Sequence, residues 1–280
     1  MQTNHAQSTP DTDPSNASEA THSPVLTLLG GFEVSCRGQR LEVSAPARRL
    51  LALIALSPAL LDRERTAALL WPELPAQRSR GNLRNALWRL RNACPALLRD
   101  DSERFELSPA VRVDVQELTR LASGLDASAT DGPNLLEVDA RGLLAELLPG
   151  WQDDWLIVER ERLHGLALHA LEQLALLRSA AGRAIEALDA AYLAVGADPL
   201  RESAVSALIR VHVAQGNRIE ALRAYMSFRE RIREELGVTV EPMPELRRHL
   251  VEGFRFGEVD DDDDGLPIDR IARRGRKPGT

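Results

Sequence analysis

The spacing of apolar positions changes several times along the chain and divides it into predicted elements. The stretch VLTLLGGFEVSC, residues 25–36, is largely apolar and predicts a β-strand. RLEVS, residues 40–44, alternates between apolar and polar positions and predicts a second strand after a turn at Gly38. PARRLLALIALS begins at Pro46 and is followed by Pro58, and prolines at these places are typical of the start and the end of a helix.

Two more helices and a hairpin follow. DRERTAALLWP predicts a helix capped by Asp62, and RSRGNLRNALWRLRNAC, residues 78–94, predicts another helix that ends before Pro95. ALLRDDSERFELS predicts a short hairpin that turns at Asp-Asp-Ser, residues 100–102. Two strands, three helices and a hairpin are the order of an α+β winged helix-turn-helix domain, and we predict this fold for residues 25–110.

Beyond residue 111 the strand patterns disappear and helical patterns replace them. DVQELTRLAS predicts a helix, and residues 123–134 predict a loop. AGRAIEAL, residues 181–188, and QGNRIEAL, residues 215–222, match at five positions with an offset of 34 residues, which is the length of a tetratricopeptide repeat. We therefore predict an all-α, tetratricopeptide-like helical repeat domain over residues 111–257.

Both ends of the chain are polar. Residues 1–24 are rich in Ser, Thr, Asp and Pro and predict a disordered tail, and residues 258–280 predict a disordered acidic and basic tail. The acidic run at 260–264 is spaced like the start of an EF-hand loop, but Ile271 stands where a bidentate Glu is needed, so a solvated tract is favoured. The final IARRGRKPGT is similar to a minor-groove AT-hook tail, although an ordinary basic terminus is favoured because acids lie beside it.

Charge is distributed unevenly in a chain whose net charge is -7. Residues 25–110 carry 13 arginines and nine acids, a net charge of +4. Residues 111–257 carry 17 arginines and 23 acids, a net charge of -6. The first folded half is therefore basic and the second is acidic, and this asymmetry says more about partners than the total charge does.

Residues that could carry catalysis are scarce. Lys277 is the single lysine and follows Arg276, so the chain has no P-loop, and we expect no Schiff-base lysine. Cys36 and Cys94 form neither a disulfide framework nor a metal-ligand spacing, and without a signal peptide they favour a reducing cytosol. The longest apolar run is too short to span a bilayer. We predict a soluble cytoplasmic protein that is not an enzyme and needs no metal, cofactor or membrane.

The stretch at residues 78–94 holds five arginines, three asparagines and no acid. At about 100° per residue, its leucines form an apolar stripe with Ala86 that would dock the helix on its two predecessors. The side chains predicted to face outward and read DNA bases are Arg78, Asn82, Asn85 and Arg89. Those predicted to lie on a flank and contact the DNA backbone are Arg80, Arg84 and Arg91. Trp88 is expected to pack against the wing or the first helix.

This helix has two interpretations, because any solvated helix face can carry Arg and Asn. DNA contact is favoured because Asn is a poor helix former and yet occurs three times, always on the outward side. No acid lies between Ala76 and Arg99, and the third helix before a hairpin is the place of a recognition helix. The forked groups of Arg and Asn read guanine and adenine edges in the major groove, and flanking arginines would lie near phosphates.

These segments resemble a known family. FEV, RRLLALIAL, LLWPE and NLRNALWRLRNA are similar to the OmpR-type winged helix of the SARP-type regulators. WLIVERERL, AGRAIEAL and the stretch from DPLRESAV to REELGV are similar to the bacterial transcriptional activator domain that follows it in those proteins. The resemblance covers about residues 25–250 and places the recognition helix at residues 77–93. One departure is the wing, where Asp100, Asp101 and Glu103 would repel phosphate.

The resemblance implies a small transcriptional activator. It would bind repeated sites on double-stranded DNA near promoters, and its helical domain would support homodimer contacts and the recruitment of RNA polymerase holoenzyme. Two alternatives stay open. The first is a helical-repeat adaptor that binds other proteins and whose basic winged helix packs or binds acidic partners. The second is an effector-gated repressor that holds a small molecule in its helical domain.

Overall fold

The structure is a computed structural model and describes residues 23–57, 60–100, 103–126 and 135–239. The predicted tail at residues 258–280 and most of the predicted tail at residues 1–24 lie outside the described residues. The chain divides into two compact units. The N-terminal unit comprises Met1–Thr119 and Ala145–Leu163, and the helical unit comprises Arg120–Leu144 and His164–Thr280.

A four-stranded sheet opens the N-terminal unit. Its strands are β1 (Val25–Thr27), β2 (Glu33–Cys36), β3 (Gln39–Arg40) and β7 (Arg112–Val113), in the order β3-β2-β1-β7. The prediction of one continuous strand over residues 25–36 is wrong, because the chain reverses at Gly30 and β2 pairs antiparallel with β1. Gly30 has a φ of 77°, which glycine adopts without the steric cost that other residues incur.

Strand β7 lies just beyond the point where the sequence predicted strands to end. It runs parallel to β1 and leads directly into helix α4 (Asp114–Asp126), which continues past the predicted loop start at residue 123. The carboxylate of Asp114 accepts hydrogen bonds of 2.8 Å from the backbone N–H groups of Leu28 and Leu29. Burial raises the pKa of Asp114, and these backbone donors oppose the rise. One carboxylate therefore ties the end of β1 to the start of α4.

Three helices follow the first strands, as predicted. They are α1 (Ala45–Leu56), α2 (Arg63–Leu70) and α3 (Ala76–Ala93). The proline at the start of α1 and the cap of α2 are both observed, and Asp62 Oδ1 accepts a hydrogen bond of 2.8 Å from the N–H of Arg65. Helix α3 packs on both α1 and α2, which is the arrangement of a helix-turn-helix.

The wing has three strands where the sequence predicted two. Strands β5 (Leu98–Asp100) and β6 (Arg104–Leu107) form the predicted hairpin, whose tip residues 101–102 lie outside the described residues. Strand β4 (Leu61–Asp62) adds to the other side of β6. The third strand was missed because it has two residues, of which Asp62 was assigned as the cap of α2. Phe105 at the centre of this small sheet is fully buried.

Residues 145–163 pack with the winged-helix residues in the N-terminal unit, although they lie 35 or more residues past the boundary predicted at residue 110. Leu147 forms a β-bridge with Leu29, and the rings of Phe32 and Trp151 stack with centroids 5.8 Å apart. The segment is held to α1 as well, because Arg49 Nε donates a hydrogen bond of 2.8 Å to a carboxylate oxygen of Asp153.

Cys36 and Cys94 form a disulfide across 58 residues of sequence. The prediction that they form no disulfide framework is therefore wrong. Their separation along the chain gave no sign of their proximity, which arises because β2 and the end of α3 meet in the folded unit. The disulfide joins the N-terminal sheet to the residue that follows α3.

The helical unit contains the predicted repeat. Helix α5 (Trp155–Ala180) belongs to it from residue 164 onward and is followed by α6 (Ala184–Ala197), α7 (Glu202–Ala214) and α8 (Arg218–Leu236). Gly182 and Gly216, which are 34 residues apart, have φ values of 76° and 75°. The hydrogen bond that closes each turn is also repeated, from Arg183 N–H to the Arg178 carbonyl at 2.9 Å and from Asn217 N–H to the His212 carbonyl at 2.8 Å.

Helices α7 and α8 pack around the fully buried Tyr225. Within the same unit, the buried Glu172 of α5 accepts hydrogen bonds from Arg201 Nε at 2.6 Å and from the Ser203 hydroxyl at 2.8 Å. A buried carboxylate needs such partners, because an uncompensated charge in the interior is strongly destabilising. The bond from Arg201 therefore links the two helix pairs of the repeat.

His212 is a buried titratable group of the helical unit. Its Nε2 lies 3.2 Å from the hydroxyl oxygen of Tyr192, and its Nδ1 has no hydrogen-bond partner among the described residues. Burial lowers the pKa of His212 below its ordinary 6.5, and the nearby Glu220 opposes the shift. The folded chain therefore favours the neutral imidazole.

We expect His212 to make the helical unit less stable in mild acid. Its contribution is complete above pH 6.5, where both states are neutral, and is lost as the pH falls below 6.5, because the unfolded chain then binds the proton more tightly. Each unit of lowered pKa corresponds to about 1.4 kcal/mol. Denaturation midpoints measured between about pH 7.5 and pH 5.5 should fall less steeply in His212→Gln than in the wild type. The exposed His164, changed to Gln, is the control and should keep the wild-type slope. Equal slopes for all three proteins would contradict the prediction.

Candidate nucleic-acid interface

Helix α3 is fixed by one buried line of side chains. Ser79, Leu83, Ala86 and Leu90 are buried and follow the spacing i, i+4, i+7, i+11, with Leu87 beside them. At about 100° per residue this spacing keeps the four side chains on one side of the helix, where they meet α1 and α2. Because that side is buried, the orientation of every other side chain of α3 is determined.

Ser79 begins this line and has no apolar side chain. Its hydroxyl lies 3.3 Å from the Trp71 carbonyl oxygen, 3.2 Å from that of Leu74 and 3.3 Å from that of Pro75. The hydroxyl has one hydrogen to donate and any of these three carbonyl oxygens can accept it, which makes a polar residue tolerable in the interior. The apolar stripe predicted from the sequence did not include it.

The four predicted base-reading residues are all exposed. Within the part of the chain that the structure describes, Arg78 and Arg89 take part in no ion pair, and Asn82 and Asn85 form no side-chain hydrogen bond. Arg78, Asn82 and Arg89 each precede a buried position by one residue, so they lie about 100° around the helix from the buried line. They form one flank of the exposed surface.

The three arginines predicted to contact the DNA backbone differ from one another. Arg80 lies on the opposite flank and pairs with Glu64 of α2 at 2.6 Å, and Arg91 pairs with Asp100 of the wing. Arg84 has no ion-pair partner within the described ranges. Of these three side chains, Arg84 therefore has the least compensated positive charge.

Asp100 also explains an acidic wing beside a basic helix. Its side chain is 17% exposed and pairs with Arg91 of α3 and, at 3.0 Å, with Arg63 at the start of α2. The guanidinium of Arg63 lies over the ring of Phe105, 5.7 Å from its centroid. The expected repulsion of phosphate by Asp100 is thus reduced by two arginines, and the carboxylate links the wing to both helices of the motif. Asp101 lies outside the described residues.

Trp88 does not pack against the wing or the first helix, and that expectation is wrong. Its side chain is 58% exposed. Trp88 follows a buried position by two residues, which places it about 200° around the helix from the buried line. Four residues of α3 follow a buried position by two residues, and we call them the outer line: Gly81, Asn85, Trp88 and Asn92.

A cleft of about 490 Å³ separates α3 from the wing. The charged residues that line it are Asp62, Arg63, Glu64, Arg80, Arg84 and Glu103. Acids and arginines are equal in number there, so the cleft concentrates no positive charge for phosphate groups. The outer line and the flank with Arg78 and Arg89 have no such compensation among the described residues, which makes them the better surface for a polyanion.

Metal ligation and membrane insertion find no support in the described residues. These residues contain no group of three or more His, Cys, Asp or Glu side chains arranged to hold a metal ion. None of their helices combines the length and the apolar character that crossing a membrane requires.

Comparisons with known proteins match the second part of the chain to a domain family and the fold to a solved structure. Residues 113–251 match the bacterial transcriptional activator domain. The solved structure of Mycobacterium tuberculosis EmbR, in complex with a low-affinity phosphopeptide, has the same fold with a TM-score of 0.66 and 18% sequence identity. The match covers 90% of this chain and 69% of that one. No curated protein matches the sequence at a significant level.

The predicted fold class is confirmed by these findings, since an α+β winged-helix part precedes a helical activator domain. The predicted repeat is present in the second part, and the order of the two parts is that of the resemblance noted from the sequence. Both findings support the resemblance to the SARP-type transcriptional activators, and residues 113–251 are similar to their bacterial transcriptional activator domain.

Proposed function

We propose that the chain binds double-stranded DNA at specific sites through the exposed surface of α3. The observation that supports this most directly is the set of three exposed arginines, Arg78, Arg84 and Arg89, that have no acidic partner among the described residues. In a chain with a net charge of -7, these three arginines lie on one helix that contains no acidic residue. DNA presents the dense negative charge that would compensate them.

The side chains on this surface suit the major groove. Arg89 and Arg78 can each donate two hydrogen bonds to a guanine, and Asn85 and Asn82 can pair with an adenine edge through the amide. Arg84 on the opposite flank would bind a phosphate, and Arg80 and Arg91 would do so at the cost of weakening their pairs with Glu64 and Asp100. The burial of Leu83 and Leu90 holds this surface outward without further contacts.

The helical half would connect binding to transcription. We propose residues 25–110 as the DNA-binding domain and residues 111–257 as the activator domain, which recruits RNA polymerase holoenzyme and supports a homodimer on DNA. The net charge of -6 over residues 111–257 disfavours direct binding of DNA by this half and suits a surface for protein partners. This function places the protein in the cytoplasm, at the nucleoid, and requires no catalytic step or cofactor.

Replacing a base-reading side chain should weaken the specific complex. We expect Arg89→Ala and Asn85→Ala each to cost about 1–3 kcal/mol on the duplex that the wild type selects from a random pool, and to relax base preference at one position. Fluorescence anisotropy with selected and unrelated duplexes measures both effects. Arg48→Ala, which removes an exposed arginine from α1, is the matched control and should change neither. Equal affinity of wild type and variants for every duplex would favour the protein-binding adaptor instead.

Replacing a backbone-contacting side chain should act on all duplexes alike. We expect Arg84→Ala to lower affinity for selected and unrelated sequences by a similar factor and to reduce the slope of log affinity against log salt by about 1. Arg80→Ala should reduce the slope less, because Glu64 already compensates Arg80. The measurement is a salt titration of binding. A loss that is confined to the selected duplex would show that Arg84 reads a base.

A further inference from the structure

Neither the formation nor the packing of α3 explains why residue 81 is a glycine. Glycine in a helix interior costs about 1 kcal/mol relative to alanine. A Cβ atom added at Gly81 would meet nothing within 4 Å, so no packing contact requires its absence. Gly81 also lies on the outer line, directly opposite the buried side of α3.

Open helix glycines also occur elsewhere in the chain, at Gly165 and Gly196. An open glycine is therefore not in itself a contact. What distinguishes Gly81 is its surroundings, since unpaired arginines lie on both flanks and Trp88 follows it after two helical turns. Without a side chain at Gly81, another surface could approach the backbone of α3 as far as the exposed Trp88 ring allows.

Trp88 is unusual for a helix turned to solvent. Its ring is more than half exposed and makes no stacking or hydrogen-bonding contact within the described residues. An exposed apolar ring on a surface that otherwise carries Arg and Asn indicates a contact that buries it. In the major groove the apolar group within reach is the 5-methyl group of thymine.

We propose that Gly81 and Trp88 set the specificity of the DNA complex together. Gly81 lets the first half of α3 enter the groove closely, and Trp88 packs on a thymine methyl group further along the same line. This inference rests on the proposed function and adds to it two residues that make no charged or amide contact. The arginines and asparagines of α3 contact phosphates and base edges, and Gly81 and Trp88 add selection by shape and by methyl contact.

The test of Gly81 separates stability from binding. Gly81→Ala should raise the folding equilibrium constant about two- to fivefold, because it removes backbone freedom from the unfolded chain, and yet weaken binding to the selected duplex several-fold. Gly165→Ala is the matched control, since it replaces a half-buried open helix glycine outside the winged helix and should raise stability alone. Thermal denaturation and anisotropy measure the two effects. A more stable Gly81→Ala that binds like the wild type would overturn the role of Gly81.

The test of Trp88 uses the DNA. Replacing thymine by uracil at single positions of the selected duplex removes one methyl group, which should weaken wild-type binding about fourfold at one position. Trp88→Ala should bind the thymine duplex more weakly and show no further loss with uracil there. Leu69→Ala, which shortens an exposed apolar side chain of α2, should keep the wild-type response. No effect of any uracil on the wild type would overturn the methyl contact. If Arg89→Ala and Arg84→Ala still weaken binding in that case, the proposed function stands without this inference.

A separate observation concerns the disulfide. Cys94 directly follows α3 and is buried, whereas Cys36 is partly exposed at the end of β2. The Cys94 N–H donates to the Leu90 carbonyl at 2.9 Å, so the residue closes the last turn of α3. The disulfide thereby fixes the end of α3 against the N-terminal sheet. Disulfides of cytosolic proteins are commonly redox-sensing, and the proposed function places this one in the cytosol.

We infer that Cys36 and Cys94 form a reversible thiol–disulfide site that controls the position of α3. An external thiolate attacks the more accessible Cys36 sulfur, and Cys94 leaves as a thiolate and takes a proton. A second external thiol then releases Cys36, so that two thiols are oxidised to one small disulfide as the protein disulfide is reduced to two thiols. The oxidised chain should bind DNA more tightly, because its recognition helix is already held in place.

The experiment compares DNA binding in dithiothreitol and in glutathione disulfide, with thiol titration to establish the redox state. Wild-type affinity for the selected duplex should fall several-fold on reduction and recover on reoxidation. Cys36→Ser should have the reduced affinity under both conditions, and its circular dichroism would show that it folds. Equal affinity of fully reduced and fully oxidised wild type would overturn the inference, as would a disulfide that resists dithiothreitol in the folded chain. Both results are independent of whether the residues of the outer line contact bases.

Discussion

Helix α3 is held against α1 and α2 by the burial of Leu83, Ala86, Leu87 and Leu90, and this packing decides which of its side chains are available to a partner. Fully burying a leucine side chain stabilises a fold by about 1.5–3 kcal/mol, so two or three of them exceed what the poor helix formers on the other side cost. The exposed side therefore needs no helix-favouring composition. It can carry Gly81, three asparagines and Trp88 because the buried side already secures the helix.

The second constraint is the charge balance around Asp100. A basic recognition helix beside an acidic wing could repel its target, but Asp100 is bound by Arg63 and Arg91 and shares its charge with them. The same contact connects α2, α3 and β5, so the wing position depends on the helix that it follows. Arg78, Arg84 and Arg89 form no ion pair among the described residues, so their positive charge remains uncompensated. The surface proposed to bind DNA is thus what remains after the internal pairs have formed.

Much of the fold could be predicted because local patterns coincide with local structure. Asp62 caps α2 as its sequence indicates, and Gly182 and Gly216 mark the repeat through the left-handed backbone that both adopt. Features that depend on distant contacts could not be predicted. Cys36 meets Cys94 because the sheet folds onto the end of α3, and Asp114 binds β1 from 85 or more residues away. The four exposed candidate residues on α3 could be identified from periodicity, whereas the exposure of Trp88 could not, because it depends on what the wing and the first helix leave uncovered.

The outer line bears on how such a helix can discriminate between sites. Arginines and asparagines on a flank reach the bases obliquely, and each can pair with more than one neighbouring base if the helix is free to shift. A glycine at the middle of the outward side allows close approach, and a rigid ring such as Trp88 limits that approach at one point. Together they would restrict the depth and the register of the helix in the groove, which converts adaptable hydrogen-bonding side chains into specific ones. The disulfide at the end of α3 also limits the position of the helix, since it restricts where the last turn of α3 can lie.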